Sequence, residues 1–457
     1  MDKMDFFSRI RSFSEAFGPG GTLALVILAL VITAITLWRG TGLVLFILFI
    51  TYSVGAITQG GVLFVSTMVR WACLFLLGIG FLKEFHLPKP SMFLFFFYAL
   101  LAVLFIAFSP YPTIAIQQGA LLIMTVICVT IASNSYIKSE ENIRRIFKMG
   151  IVAGGVWTLV SAAFIGEFMY SADTRFVAEG TAGTGTIAYA GAFFAPMIVW
   201  GVLQKRDFLW RILSATVIIP FVFLLLLTGM RSAIFGMLGI AIFPLLFMRG
   251  KPLKACIQVG VIILLFAGSL VIISILMPAK SEYLIGRIFD TSTTGRSHVW
   301  KAVFAYVLRN PFIGHGIAAA GIDGIRVFGL QFHNSYLAIW YNTGIIGLLS
   351  VLMFLGIYFL KSFQLIRIAP TEEIGDFARI AFGYMLGIAA MNMMESSLAG
   401  PGRISVTMLL IMAVMVDRLK QIIQEQSCYE YIDDNQLLEV NHEGFTEDIL
   451  GETELYY

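Results

Sequence analysis

Apolar runs long enough to cross a bilayer recur along nearly the whole chain, and nothing else in the sequence constrains its fold as strongly. Crossing ~30 Å of hydrocarbon at about 1.5 Å of rise per residue takes roughly 20 residues of helix. Lipid offers the backbone no hydrogen-bond partners, so such runs must be helical. Spans are expected near residues 22–38, 41–57, 61–82, 91–108, 113–132, 149–166, 187–203, 212–228, 232–248, 255–277, 333–360, 377–397 and 404–419. With 457 residues, 58% of them hydrophobic and 13% charged, and a mean hydropathy of +0.87, the chain is too apolar for a soluble globular domain. The expected fold class is an all-α polytopic membrane protein, a bundle of about 12–13 transmembrane helices with one long loop.

The first run follows a polar stretch, residues 1–21, ending at Gly18-Pro19-Gly20-Gly21 with no small-residue cleavage site, and reads as a retained span. Short loops carry their basic residues on one side of the alternation: Arg39, Lys83 and Lys89, Arg144 and Arg145, Lys205 and Arg206, Arg249 and Lys251, Lys361 and Arg367, and Arg418 and Lys420. That side is expected to be the cytoplasm. The opposite loops hold single arginines at Arg175, Arg231 and Arg403. Counting backward places Lys3, Arg9 and Arg11 outside, so either the N-terminus is external or one early run does not cross. Cys73, Cys128 and Cys256 lie in apolar runs and Cys428 in the tail, without paired spacing; they read as small core residues.

Residues 22–420 form the expected catalytic bundle, and 278–332 within it is the one long extramembrane loop. Val299 to Leu308 can form a short interfacial helix, with Trp300, Val303, Phe304 and Val307 on one face and Pro311 stopping it. Beyond Lys420 the tail, 421–457, is acidic, with Asp433, Asp434, Glu439 and Glu443 among its charges and no lysine or arginine. Such a segment cannot bury a core and is expected to be disordered. Solubilisation is the favoured reading of it; docking to a cytoplasmic partner, or phosphorylation of its tyrosines Tyr429, Tyr431, Tyr456 and Tyr457, is the other.

Short polar motifs gather on the side opposite the basic loops: Thr228-Gly229-Met230-Arg231-Ser232, Gly295-Arg296-Ser297-His298-Val299-Trp300, Asn310-Pro311-Phe312-Ile313-Gly314-His315-Gly316 and Phe332-His333-Asn334-Ser335. Arginine offers permanent charge and a planar fork of donors for phosphate, and histidine titrates near neutral pH. Together they point to group transfer on a phosphate-bearing substrate. Arg175 opens a Gly- and Thr-rich loop whose backbone N–H groups could help hold an anion. Arg231 reads equally as an anion ligand or as a side chain reaching lipid headgroups. Arg70 lies within an apolar run, where charge costs about 2.5–3.5 kcal/mol or more; it faces either a substrate or a carboxylate such as Glu167 or Glu395. Asn334 or Ser335 can cap the helix that follows His333. His333 is the candidate catalytic base; Arg175, Arg231, Arg296, Arg70, Asn334 and Glu395 are the candidate substrate-binding residues. His298, His315 and His333 are widely spaced and lack a carboxylate pair, so no metal site and no cofactor are expected.

The ordered set from Arg175 through Arg231, Gly295-Arg296, Trp300, Asn310-Pro311, Gly314, Gly316, His333-Asn334 and Gly344-Ile345-Ile346-Gly347 resembles the O-antigen ligase and polymerase superfamily. The resemblance implies a GT-C-like bundle in the bacterial inner membrane with its active site facing the periplasm. It also implies an undecaprenyl-diphosphate-linked glycan donor held by Arg175, Arg231 and Arg296, and His333 as base. The implied acceptor is a growing glycan or lipid A-core, with membrane lipids as the surroundings and no nucleic acid partner. The Gly295 to Trp300 wording is closer to exopolysaccharide polymerases, although Thr186 and Val307 stand where several polymerases carry a glycine eleven residues after an arginine. A lipid-linked oligosaccharide flippase is the alternative function. It would want charges deep in many spans and related halves, whereas here the motifs collect at one face.

Overall fold

A computed structural model describes residues 41–55, 60–81, 89–163, 184–204, 206–246, 252–278, 281–282, 285–286, 296–400 and 403–425. The expected span 22–38, Arg175 with its glycine-rich loop, and most of the acidic tail lie outside the described residues. Among those described, all regular structure is helical: α1 (Thr41–Gly55), α2 (Gly60–Phe81), α3 (Phe93–Leu104), α4 (Pro112–Tyr136), α5 (Glu140–Ala163), α6 (Thr184–Leu203), α7 (Phe208–Leu227), α8 (Arg231–Leu246), α9 (Pro252–Leu276), α10 (Arg296–Val307), α11 (Ala319–Arg326), α12 (Ser335–Ile368), α13 (Glu372–Asn392) and α14 (404–425). Seven of the described helical segments are long and apolar enough to cross a membrane, as expected of a multi-pass membrane protein.

Successive long helices run in alternating directions, so α12 and α14 start, and α4 starts, at the end of the bundle where α7 and α13 finish. Local chemistry sets the boundaries. Thr371 accepts a hydrogen bond from Ile374 N at 3.2 Å and Glu372 and Glu373 occupy the first turn of α13, where a helix favours negative charge. Pro112 stands in the first turn of α4, where its missing N–H costs nothing.

The centre is built from α12, α13 and α14, the last of which is buried along almost its whole length. Among the described residues Trp157, Trp200, Tyr98, Tyr358 and Tyr384 are the bulkiest side chains sealed inside. By contrast α9 sits at the periphery with Leu264, Val271 and Ile275 exposed, because in lipid an apolar surface has no need to turn inward. Cys256 shares that outer position: Cys73 and Cys128 are buried as expected, but Cys256 is exposed. Apolar surroundings in the sequence here mark contact with lipid rather than with a protein core.

Within the long loop, α10 forms where a short helix is expected, starting earlier at Arg296. Its buried face is Val299, Val303 and Val307, one residue per turn, while Phe304 is 47% exposed and packs edge-on against Trp340. A second, shorter helix, α11, lies near the end of the loop.

Candidate active site

The α7–α8 turn delivers Arg231. Gly229 adopts φ 57°, a left-handed conformation that glycine enters without penalty, and the Thr228 hydroxyl accepts from Met230 N at 3.3 Å. The chain therefore reverses over three residues and places Arg231 in the first turn of α8, with Ser232 hydrogen-bonded to Tyr189 at 2.9 Å. Two glycines then fix how α8 lies on α13. A Cβ at Gly236 would sit 2.1 Å from Met391 Sδ, and one at Gly387 would sit 2.3 Å from Ile240 Cγ1. These small residues let the two helices pack at close range, antiparallel. The register of those contacts carries Arg231 to the level of Glu395 and Ser396, just past the end of α13.

Glu395 lies in a turn pinned from both sides. Ser335 Oγ sits 2.6 Å from Asn392 Oδ1 and 2.9 Å from the Glu395 carbonyl, while Ser397 Oγ and Leu398 N both donate to Asn392 Oδ1, at 2.8 and 2.9 Å. Ser405 at the head of α14 donates to Ser397 O at 2.7 Å. Every member of this network is buried, and each polar atom it uses is paired. The result is a rigid shelf that joins the end of α13 to the starts of α12 and α14.

On that shelf the Glu395 carboxylate meets two of the residues expected at the site. His333 Nδ1 is 3.1 Å from Oε2, and Arg296 Nη2 is 3.6 Å from Oε1. Arg296 also donates through Nη1 to the Met394 carbonyl at 2.9 Å, so its guanidinium bridges α10 to the turn. Arg403 folds back over Gly400, where a Cβ would come 2.3 Å from its Nε, and it feels the Glu395 charge. Glu395 is 6% exposed, whereas the His333 and Arg296 side chains are 25% and 20% exposed and reach the surface of the site.

His333 has φ 45°, the only non-glycine residue with positive φ among those described. Such a conformation is uncommon outside glycine and persists where the surroundings over-determine it. Here Trp300 Nε1 donates to Phe332 O at 2.7 Å on one side of His333, and Asn334 N donates to Ser396 Oγ at 3.2 Å on the other. Asn334 then caps α12, its side chain accepting from Leu337 N at 3.0 Å. The backbone is thus held between α10 and the Glu395 shelf, with the imidazole aimed at the carboxylate.

The remaining motifs support the site from behind. Gly344 interrupts α12 with φ 68° and ψ 178°, and the Asn310 to Gly316 loop threads into the break. Ile345 N donates to Pro311 O at 2.8 Å, and His315 N and Gly316 N donate to the carbonyls of Tyr341 and Asn342 at 2.9 and 3.0 Å. The backbone groups freed by the break are satisfied by the loop. Contact is close enough to require glycine: a Cβ at Gly314 would lie 2.2 Å from Asn342 O, and one at Gly344 would lie 2.4 Å from Phe312 O. His315 is absorbed here, stacked on Tyr341 with ring centres 4.4 Å apart.

Arg70 sits elsewhere in the wall, its guanidinium 4.4 Å above the Tyr52 ring, and Tyr52 hydrogen-bonds Thr407 at 2.7 Å in the first turn of α14. That places Arg70 one turn of α14 away from Arg403, toward the middle of the bundle. Of the residues named from sequence, the geometry joins Arg296, His333 and Glu395 directly, sets Arg231 at their level, and gives Asn334 a capping bond. Arg403, singled out in the sequence only for its topology, joins them.

No curated protein matches the chain. Residues 215–352, which hold Arg231, Arg296, His333 and Gly344, match the family model described as O-antigen ligase, and this bears out the resemblance to the O-antigen ligase and polymerase superfamily.

Proposed function

We propose that the protein transfers a glycan from an undecaprenyl-diphosphate-linked donor to a hydroxyl acceptor at the periplasmic mouth of the bundle. The observation that carries this reading is the meeting of His333 with Arg296 around one carboxylate, within and beside the family-matched segment. A hydroxyl placed at the outward ring nitrogen of His333 gives up its proton to the imidazole. Its oxygen forms the new bond to the anomeric carbon as the bond from that carbon to the diphosphate breaks. Arg296 and Arg231, with Arg175 from the loop before α6, stabilise the charge that develops on the departing diphosphate, the task a divalent ion would otherwise perform. A growing glycan and lipid A-core are the two acceptors that fit, making the protein a polysaccharide polymerase or an O-antigen ligase. Arg70 lies deeper, where it suits the part of the donor nearest the lipid.

The test is transfer from purified lipid-linked donor, run in EDTA. Wild-type protein should be active, and Arg231→Ala and Arg296→Ala should insert normally and lose transfer. Full activity in both variants, or a strict need for added Mg²⁺ or Mn²⁺, would overturn the electrostatics proposed.

A further inference from the structure

Glu395 lies 62 residues from His333 in the chain and outside the family-matched segment, yet its carboxylate is the group that His333 Nδ1 meets. Two features make this contact more than a packing accident. First, both partners stand on supports that do not depend on the contact. The Glu395 turn is fixed by Ser335, Asn392, Ser397 and Leu398, and the His333 backbone by Trp300 and Ser396. Second, the carboxylate is buried beside cationic groups. Arg296 reaches it from α10, Arg403 acts on it from the head of α14, and Arg231 stands at its level from α8. A buried carboxylate with guanidinium groups alongside is held in its charged form, which can accept a hydrogen bond but cannot donate one.

We propose that Glu395 is a positioning residue for the transfer reaction: its carboxylate accepts a hydrogen bond from the Nδ1–H of His333, fixing the tautomer in which Nε2 carries the lone pair that takes the acceptor proton. This rests on the reading of His333 as base. The carboxylate then does three things. It sets the ring orientation, it selects the tautomer, and it stabilises the imidazolium formed as the hydroxyl attacks. The proton moves from the acceptor oxygen to Nε2 and is given up to solvent before the next turnover, while Glu395 remains ionised throughout. Because Arg296 touches both Glu395 and the Met394 carbonyl, the donor-binding arginine and the base are held on the same turn. A diphosphate bound to Arg296 is thereby in register with the imidazole.

Single-turnover rates against pH, with donor saturating, test the proposal on purified full-length wild type, Glu395→Gln, Glu395→Asp, His333→Gln and the double variant His333→Gln/Glu395→Gln. Glu395→Gln should slow the chemical step by about 100-fold or more while leaving donor affinity within a few-fold. Its acid limb should move to lower pH, since a nearby negative charge favours the imidazolium and its removal disfavours it. Glu395→Asp keeps the charge at a slightly longer reach and should recover part of the rate. The double variant should be no slower than His333→Gln, because a residue that acts only through the imidazole has nothing left to act on. A Glu395→Gln enzyme with the wild-type rate and pH profile overturns the proposal, as does a double variant in which the two losses multiply. If His333→Gln itself keeps the wild-type rate, it is the base reading that fails, whatever Glu395 does.

Discussion

The two ends of the bundle use the same residue types to different purposes. At the end away from His333, charges tie helix to helix. Arg144 on α5 makes a two-pronged bond to Glu373 on α13, at 2.8 and 2.9 Å, and also pairs with Glu141. Lys148 reaches Asp207 at 2.5 Å, Lys361 on α12 pairs with Asp417 on α14, and Arg418 Nη2 donates to Asn134 O on α4 at 2.6 Å. At the His333 end, the tying is done mostly by backbone and by neutral side chains: the loop threaded into the break at Gly344, and the Ser335, Asn392 and Ser397 network. One buried carboxylate, Asp323, joins in by accepting from Tyr111 and Tyr341 at 2.6 and 2.9 Å. Arg296 and His333 converge instead on a different carboxylate, Glu395. What separates a staple from a site is whether the structure around the charge already holds without it.

The sharpest way to break this comparison is to remove the His333 imidazole while keeping its backbone. Asparagine tolerates the left-handed conformation better than most residues. His333→Asn should therefore unfold within about 1 kcal/mol of wild type, yet lose 10²–10⁴-fold in single-turnover rate, the usual contribution of a positioned base. A thermal melt in detergent beside the rate measurement decides it. Melting that falls together with activity would make His333 part of the scaffold.

Gly344→Ala probes the opposite case, a residue that is scaffold alone. Alanine would have to adopt φ 68° with its Cβ 2.4 Å from Phe312 O. Strain of this kind costs on the order of 1–3 kcal/mol before any steric shift is counted. Stability should drop by at least about 2 kcal/mol, with the protein that remains folded retaining most of its donor affinity. An unchanged melting profile would mean that the loop and helix can part freely, and that the His333 end is not held by its backbone.

The parts of this molecule legible in the sequence are those written in local chemistry. Hydropathy places the helices: the observed ends of α3 to α9 fall within a few residues of the expected spans, because lipid leaves the backbone one solution, except that α5 begins at Glu140, nine residues before the expected 149, in a polar first turn that hydropathy does not mark. Arg296 and His333 stand out because a charge or an imidazole at a membrane boundary is rare enough to notice. Glu395 is legible in the sequence as a carboxylate in an apolar run, a candidate for binding substrate or for pairing with Arg70. Its engagement with His333 depends on how α13 returns beside α12, which no local pattern encodes. The Asn310 to Gly316 motif is conspicuous in sequence and looks chemical, but Gly314 is explained by close backbone contact with α12 and Gly316 by its φ of 87° and its close approach to Ser109. On α10 the stripe packed against the bundle is narrower than the expected apolar face: the valines occupy it, and Phe304 stays half-exposed beside it.

The smallest effect expected is also the most direct check on the difference between the ends. Glu373 and Glu395 bracket α13, one in its first turn and one beyond its last, and each carboxylate faces an arginine, at 2.8 and 3.6 Å. Glu373→Gln keeps one carbonyl oxygen for Arg144, which still has Glu141, and the pair lies partly open to solvent, with side chains 12% and 22% exposed. The cost should be about 1 kcal/mol or less, as for pairs that water can reach, and the turnover rate should be unchanged. Glu395→Gln should do the reverse, lowering the rate strongly with little change in melting. A tenfold loss of rate in Glu373→Gln would show that α13 transmits strain along its length from one end to the other. The charges at the far end would then belong to the mechanism as well as to the scaffold.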